Sequence, residues 1–143
     1  MDQHREGVIV LLENADRQIA FQLRDDAPEI MYPNYWGLFG GWMESGESPQ
    51  QAAVREIKEE LGCLLELSKL VYLTVHADDE AKSHLFHYPI ADELQGATLT
   101  EGQAIRFMTL AEIQDQNVIP RHREILEWYQ HIEPQPRDQR PQN

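Results

Sequence analysis

The stretch Gly41–Cys63, GWMESGESPQQAAVREIKEELGC, constrains the fold of this chain more than any other, because it carries both ends of a helix. Ser48 is a good N-cap, Pro49 suits the first helical position, and Gln51 completes an S-x-x-Q capping box. Ala53, Ile57 and Leu61 recur every four residues and form an apolar stripe, with Val54 beside them. Gly62 supplies a left-handed stop. The spacing predicts a helix that starts at Pro49, ends before Gly62 and buries one face.

The other face is acidic. Glu56, Glu59 and Glu60 stand at i, i+3 and i+4, so their carboxylates emerge together within one turn. Three like charges there destabilise an isolated helix and become tolerable once a cation neutralises them. Hard oxygen ligands of this kind suit magnesium, with manganese as the second choice. A lone E-x-x-E-E is more commonly a solvated face. Here a Gly-rich loop with another acid, Glu47, lies just upstream, and Arg55 sits inside the acidic run, where it can pair with a neighbouring carboxylate. That context favours a metal site.

Around this helix the chain alternates strand and turn signals. Gly7–Glu13 and Gln18–Leu23 read as a hairpin about the turn-like Asn14–Asp16. Residues 25–35 hold two prolines and read as a surface loop, followed by the short apolar run Trp36–Phe39. Leu64–His76 and Ser83–Ile90 read as strands joined by the acidic turn Ala77–Glu80, and Gln103–Thr109 as one more. Thr109 caps a short helix, LAEI, and a last helix runs from Pro120 to Ile132 with Ile125, Trp128, Tyr129 and Ile132 on its packing face. The proline-rich, polar stretch 134–143 reads as a disordered tail after a single domain over 1–133.

The box resembles the signature of the Nudix hydrolases, G-x5-E-x7-R-E-U-x-E-E-x-G-U with U aliphatic. It matches at Gly41, Glu47, Arg55, Glu56, Ile57, Glu59, Glu60 and Gly62, and departs only at Cys63, a small apolar substitute for the last U. The resemblance implies an α/β fold with a mixed β-sheet sandwiched between helices. It implies hydrolysis of a nucleoside diphosphate linked to another moiety, with water attacking phosphorus and divalent cations assisting. It assigns metal ligation to Glu56, Glu59, Glu60 and the Gly41 carbonyl, and an orienting role to Arg55 and Glu47. Three further positions resemble the MutT-like branch, which cleaves nucleoside triphosphates to monophosphate and pyrophosphate. Glu101, in Glu101-Gly102-Gln103, would contact metal or activate water, making it an alternative to Glu56 as the base. Arg24 would bind phosphate and Asn117 would read the base, while Trp42, directly after Gly41, could flank the cleft. No S-Q-P-W run follows the box, which moves weight toward nucleoside triphosphates, oxidised ones included. Nucleotide sugars and a non-catalytic nucleotide sensor are the other readings.

Charge and composition narrow the partners. The 143 residues carry a formal net charge of −13, which disfavours a nucleic-acid backbone as ligand. Small phosphorylated molecules remain compatible, because bound cations reverse the local sign. The lone cysteine, Cys63, fits a reducing compartment, and no stretch approaches the length of a membrane span. The expectation is a soluble cytoplasmic protein, monomeric or homodimeric. His76, His84 and His87 read as polar strand positions, since no Cys or third close His supports a zinc site.

Overall fold

Strand β1 (Arg5–Glu13) is buried on both faces along most of its length, which explains why its sequence is a continuous apolar run rather than an alternating one. Val8, Val10 and Leu12 point into one core and Ile9 and Leu11 into the other. The computed structural model describes residues 5–94, 102 and 104–132. Within them β2 (Ile19–Leu23), β3 (Trp36–Gly37), β4 (Phe39–Trp42), β5 (Val71–Ala77), β6 (Ala81–Pro89) and β7 (Ala104–Met108) join β1 in one seven-stranded sheet. The path runs β3-β2-β1-β6-β5, with β4 paired to β1 and β7 to β2. β1 and β6 are parallel over nine residue pairs, from Arg5–Ala81 to Glu13–Pro89, and the other strand pairings are antiparallel.

One helix covers each face, so the expected α/β sandwich is the observed one. Helix α1 (Pro49–Leu61) lays Ala52, Ala53, Ile57 and Leu61 onto the core formed by Val8, Val10, Phe39, Phe86 and Tyr88. Helix α2 (Pro120–Ile132) lays Ile125, Leu126 and Tyr129 onto Ile9, Leu11, Phe21 and Leu85, with Trp128 and Ile132 partly buried beside them. The start of α1 follows its sequence signals: Ser48 Oγ accepts from the Gln51 N–H at 3.1 Å and Gln51 Oε1 accepts from the Ser48 N–H at 2.9 Å. Gly62 closes it at φ +69°, its N–H donating to the Lys58 carbonyl at 2.8 Å.

Two elements differ from expectation. The strand expected from Leu64 begins only at Val71. Leu65 tucks into the first core, while the backbone bonds of the next residues close a single 3-10 turn at Leu67–Lys69 instead of pairing with a strand. The helix expected at LAEI is likewise one 3-10 turn, Glu112–Asp115. Thr109 does exchange hydrogen bonds with Glu112 as its cap, but Trp36 bonds to both Asn117 and Ile119 and holds the following chain extended. The stretch expected to form a disordered tail lies outside the described residues, as do Glu101 and Gln103. No helix among the described residues is long and apolar enough to cross a membrane.

Candidate active site

The loop between β4 and α1 is held by one arginine. Arg55, in the second turn of α1, grips Glu47 with a bidentate pair, Nε to Oε2 and Nη2 to Oε1 at 2.9 Å. The same guanidinium donates to the Trp42 carbonyl at 3.0 Å, to Glu56 at 3.1 Å and to Glu59 at 3.2 Å. Glu47 also accepts from the Glu44 N–H at 2.8 Å. Through these bonds, Arg55 first and the Glu44 amide second, the Glu47 carboxyl is held down to about 2. Arg55 is held charged at any working pH. Burial pushes the Glu56 carboxyl above its ordinary value, with Arg55 opposing that shift.

Glu56, Glu59 and Glu60 line one wall of a cleft of about 670 Å³, together with Gly40, Gly41 and Trp42. A Cβ at residue 41 would overlap the Glu56 carboxylate, so this backbone and this acid can lie together only because residue 41 is glycine. Carboxylate oxygens beside a backbone carbonyl are the donor set that a hard divalent cation takes. Among the described residues no three acidic, histidine or cysteine side chains converge on one point. The Arg55 guanidinium bridges Glu56 and Glu59 and supplies positive charge between them.

The rest of the cleft wall was anticipated only at Arg24. Gln22 and Arg24 from the end of β2, Ser83 from β6, and Arg121 and His122 from the first turn of α2 line it. Arg121 is an anchor: it donates to Asp78 at 2.7 Å, to Ser83 Oγ at 2.9 Å and to the carbonyls of His76 and Ala81. Burial raises the Asp78 carboxyl, yet bonds from Arg121 and two backbone amides outweigh it and bring the value to about 2. Arg24 donates Nε to the Met31 carbonyl at 2.8 Å, tying the surface loop to the cleft. A signal for this wall did exist. Arg121, His122 and Arg123 crowd the first turn of α2, the helix end where acids, not bases, are favoured.

The remaining expected residues fall as follows. Trp42 lines the cleft, is 41% exposed and carries the Arg5 guanidinium 3.8 Å over its ring. Asn117 is exposed and lines a separate cavity of about 390 Å³ with Tyr35 and Arg123, so the structure does not bring it to the carboxylate cleft. Glu101 lies outside the described residues. Its neighbour Gly102 sits at φ +87° against the Leu23 carbonyl and the Gln22 side chain, at the edge of the cleft. Of the three strand histidines none lines the cleft. His84 bonds Tyr72 and Glu6 on the surface, and His87 lies buried on the other face against Glu13 and Tyr129.

Comparisons with known proteins bear on the family and the fold. The family model described as NUDIX domain matches residues 3–129. A Bacillus subtilis (strain 168) protein provisionally named an 8-oxo-dGTP diphosphatase is 31% identical over 106 residues, covering 74% of this chain and 67% of its own. The nucleoside triphosphatase NudI of Escherichia coli (strain SE11) is 34% identical over 82 residues, 57% of each chain, so this chain spans little more than half of that relative. Among solved structures, the MutT NUDIX hydrolase from Burkholderia pseudomallei superposes with a TM-score of 0.70 at 27% identity, over 88% of this chain and 98% of that one.

Proposed function

The chain belongs to the Nudix hydrolase family, enzymes that act on acid anhydrides, and from that premise we propose that it cleaves nucleoside triphosphates to monophosphate and pyrophosphate. Oxidised nucleotides are included among the substrates. The observation that carries this reading is the cleft itself. Glu56, Glu59 and Glu60 line the same cleft of about 670 Å³ as Arg24 and Arg121. An all-basic lining would bind phosphate and hold it, whereas carboxylates together with arginines suit a polyphosphate brought in with cations.

Glu56, Glu59, Glu60 and the Gly41 carbonyl are the groups that would hold magnesium, or manganese in its place. A cation there supplies neutralisation of phosphate charge and a more acidic water. The residues of the chain do the rest. Arg55 and Glu47 lock the loop to α1, so that Gly41 and Glu56 keep their mutual position. Arg24 supplies fixed positive charge for phosphate oxygens, and Trp42 flanks the substrate. Either Glu56 or Glu101 accepts the proton of the attacking water. The names of the Bacillus and Escherichia relatives support nucleoside triphosphates over nucleotide sugars as substrates.

The test is a phosphate-release assay coupled to inorganic pyrophosphatase, run over canonical and 8-oxo nucleoside triphosphates, with and without magnesium. Phosphate should appear only when both magnesium and the coupling enzyme are present. Nucleotide binding with no turnover on any triphosphate or nucleotide sugar would instead mark a sensor.

A further inference from the structure

We propose that the free edge of β5 is a self-association surface, on which two copies of this chain pair their β5 strands antiparallel and continue the sheet across a two-fold axis.

β5 ends the sheet path on its side and, among the described residues, pairs with β6 alone. Its other side presents a row of backbone N–H and C=O groups along a seven-residue strand. Edges of this length are ordinarily blunted by proline, lysine or an inward-pointing charge. Val71–Ala77 holds no proline and no formally charged residue. Of the eight large apolar side chains exposed among the described residues, five lie on this strand or in the segment leading to it: Leu64, Leu67, Val71, Tyr72 and Val75. The ladder irregularity between Tyr72 and Thr74 shapes the patch. It turns Leu73 toward the core under α2, so Tyr72, opposite Phe86, and Val75, opposite His84, both stand on the α1 side of the sheet. Helix α1 packs over β1 and β4 and leaves this pair 43% and 40% exposed.

Charge selects a second copy as the occupant. With a net charge of −13, two copies repel wherever their acidic surfaces meet. The stretch 67–77 carries one formal charge, Lys69, and Asp79 and Glu80 follow it closely. Antiparallel pairing of two β5 strands lays the Lys69 end of one against the Asp79–Glu80 end of the other, and does so twice. Lys69 is available for this, since its only ion pair is a loose one, 3.8 Å from Glu66. Backbone pairing alone gives a small contact, and Tyr72 and Val75 from both copies add the apolar centre that an interface needs. The arrangement is isologous: each free edge is consumed by the other, so growth stops at two. None of residues 64–77 lines the carboxylate cleft, so the pairing takes nothing from it.

Multi-angle light scattering on the full chain should give twice its 16.6 kDa at about 100 µM. Val75→Lys sets an ammonium on the edge and should raise the dimer dissociation constant at least about tenfold in sedimentation equilibrium, with an unchanged circular dichroism spectrum. Lys69→Glu makes both end contacts repulsive and should loosen the dimer by about fivefold. Adding Asp79→Lys to Lys69→Glu should recover the wild-type constant, a result that no other dimer geometry predicts. If Val75→Lys fails to fold, the charge exchange at 69 and 79 decides alone. A wild-type mass other than two chains at that concentration overturns the inference, even where the edge takes some other partner. So does a dimer that a folded Val75→Lys leaves intact, or a Lys69→Glu loss that Asp79→Lys does not repair.

Discussion

At the scale of single residues, Arg55 offsets two of the three glutamates that crowd one helical turn, Glu56 and Glu59. It contacts Glu47, Glu56, Glu59 and the Trp42 carbonyl at once. Lysine carries the charge but not the planar fork, so Arg55→Lys should leave the protein folded and lower kcat/KM by roughly 10- to 100-fold, measured in the pyrophosphatase-coupled assay. Glu60→Gln should cut turnover by more than about 100-fold with the melting temperature nearly unchanged. Normal turnover of that variant at saturating magnesium would remove Glu60 from the ligand set. His122 gives a pH signature of its own. Its folded value of about 4 lies below the ordinary 6.5, so between those limits the unfolded chain binds the extra proton. Its contribution to stability is complete above about pH 6.5, declines as pH falls toward 4 and changes no further below that. Melting temperatures across this window should fall less steeply for His122→Asn than for wild type. A sequence shows the box residues because they lie within one helix and its entry loop. It does not show His122, whose chemistry depends on an amide 84 positions away.

At the scale of elements, α1 was legible because every determinant of its ends is local. The capping box, the proline at its first position and the left-handed glycine need no other segment to act. The cost of breaking them is correspondingly simple. Gly62→Ala forces a side chain into a left-handed backbone conformation and should cost about 1 kcal/mol, read as a melting temperature lower by about 3 °C, with kcat/KM retained. The strand starting at Val71 was misread for the converse reason. Leu64, Leu65 and Leu67 suit a strand by composition, but the Glu66 N–H donates to the distant Tyr88 hydroxyl at 3.0 Å and the Glu66 and Leu67 carbonyls accept within a 3-10 turn. Arg24 was expected at the cleft, but Ser83, Arg121 and His122 were not, because β6 and α2 bring them there from far along the chain.

At the scale of the whole molecule, the two cores make α1 and α2 depend on the sheet rather than on bound ions. Arg55 already offsets the charges of Glu56 and Glu59, so EDTA should abolish hydrolysis while leaving the thermal unfolding transition almost in place. A large loss of melting temperature in EDTA would show that cations hold the fold as well as the substrate. Opposite the cleft, Glu13 accepts from His87 at 2.8 Å and from Tyr129 at 2.7 Å, joining β1, β6 and α2 through one buried carboxylate. β1 also sets the order in which the protein can be made. It leaves the ribosome well before its parallel partner β6, which begins at Ala81, and until then nothing can pair that edge. For as long as synthesis takes to reach β6, an apolar strand waits with open backbone groups on one side. Exposed apolar edges of this kind are where a growing chain aggregates, and this one stays open during an interval in which α1 is already synthesised.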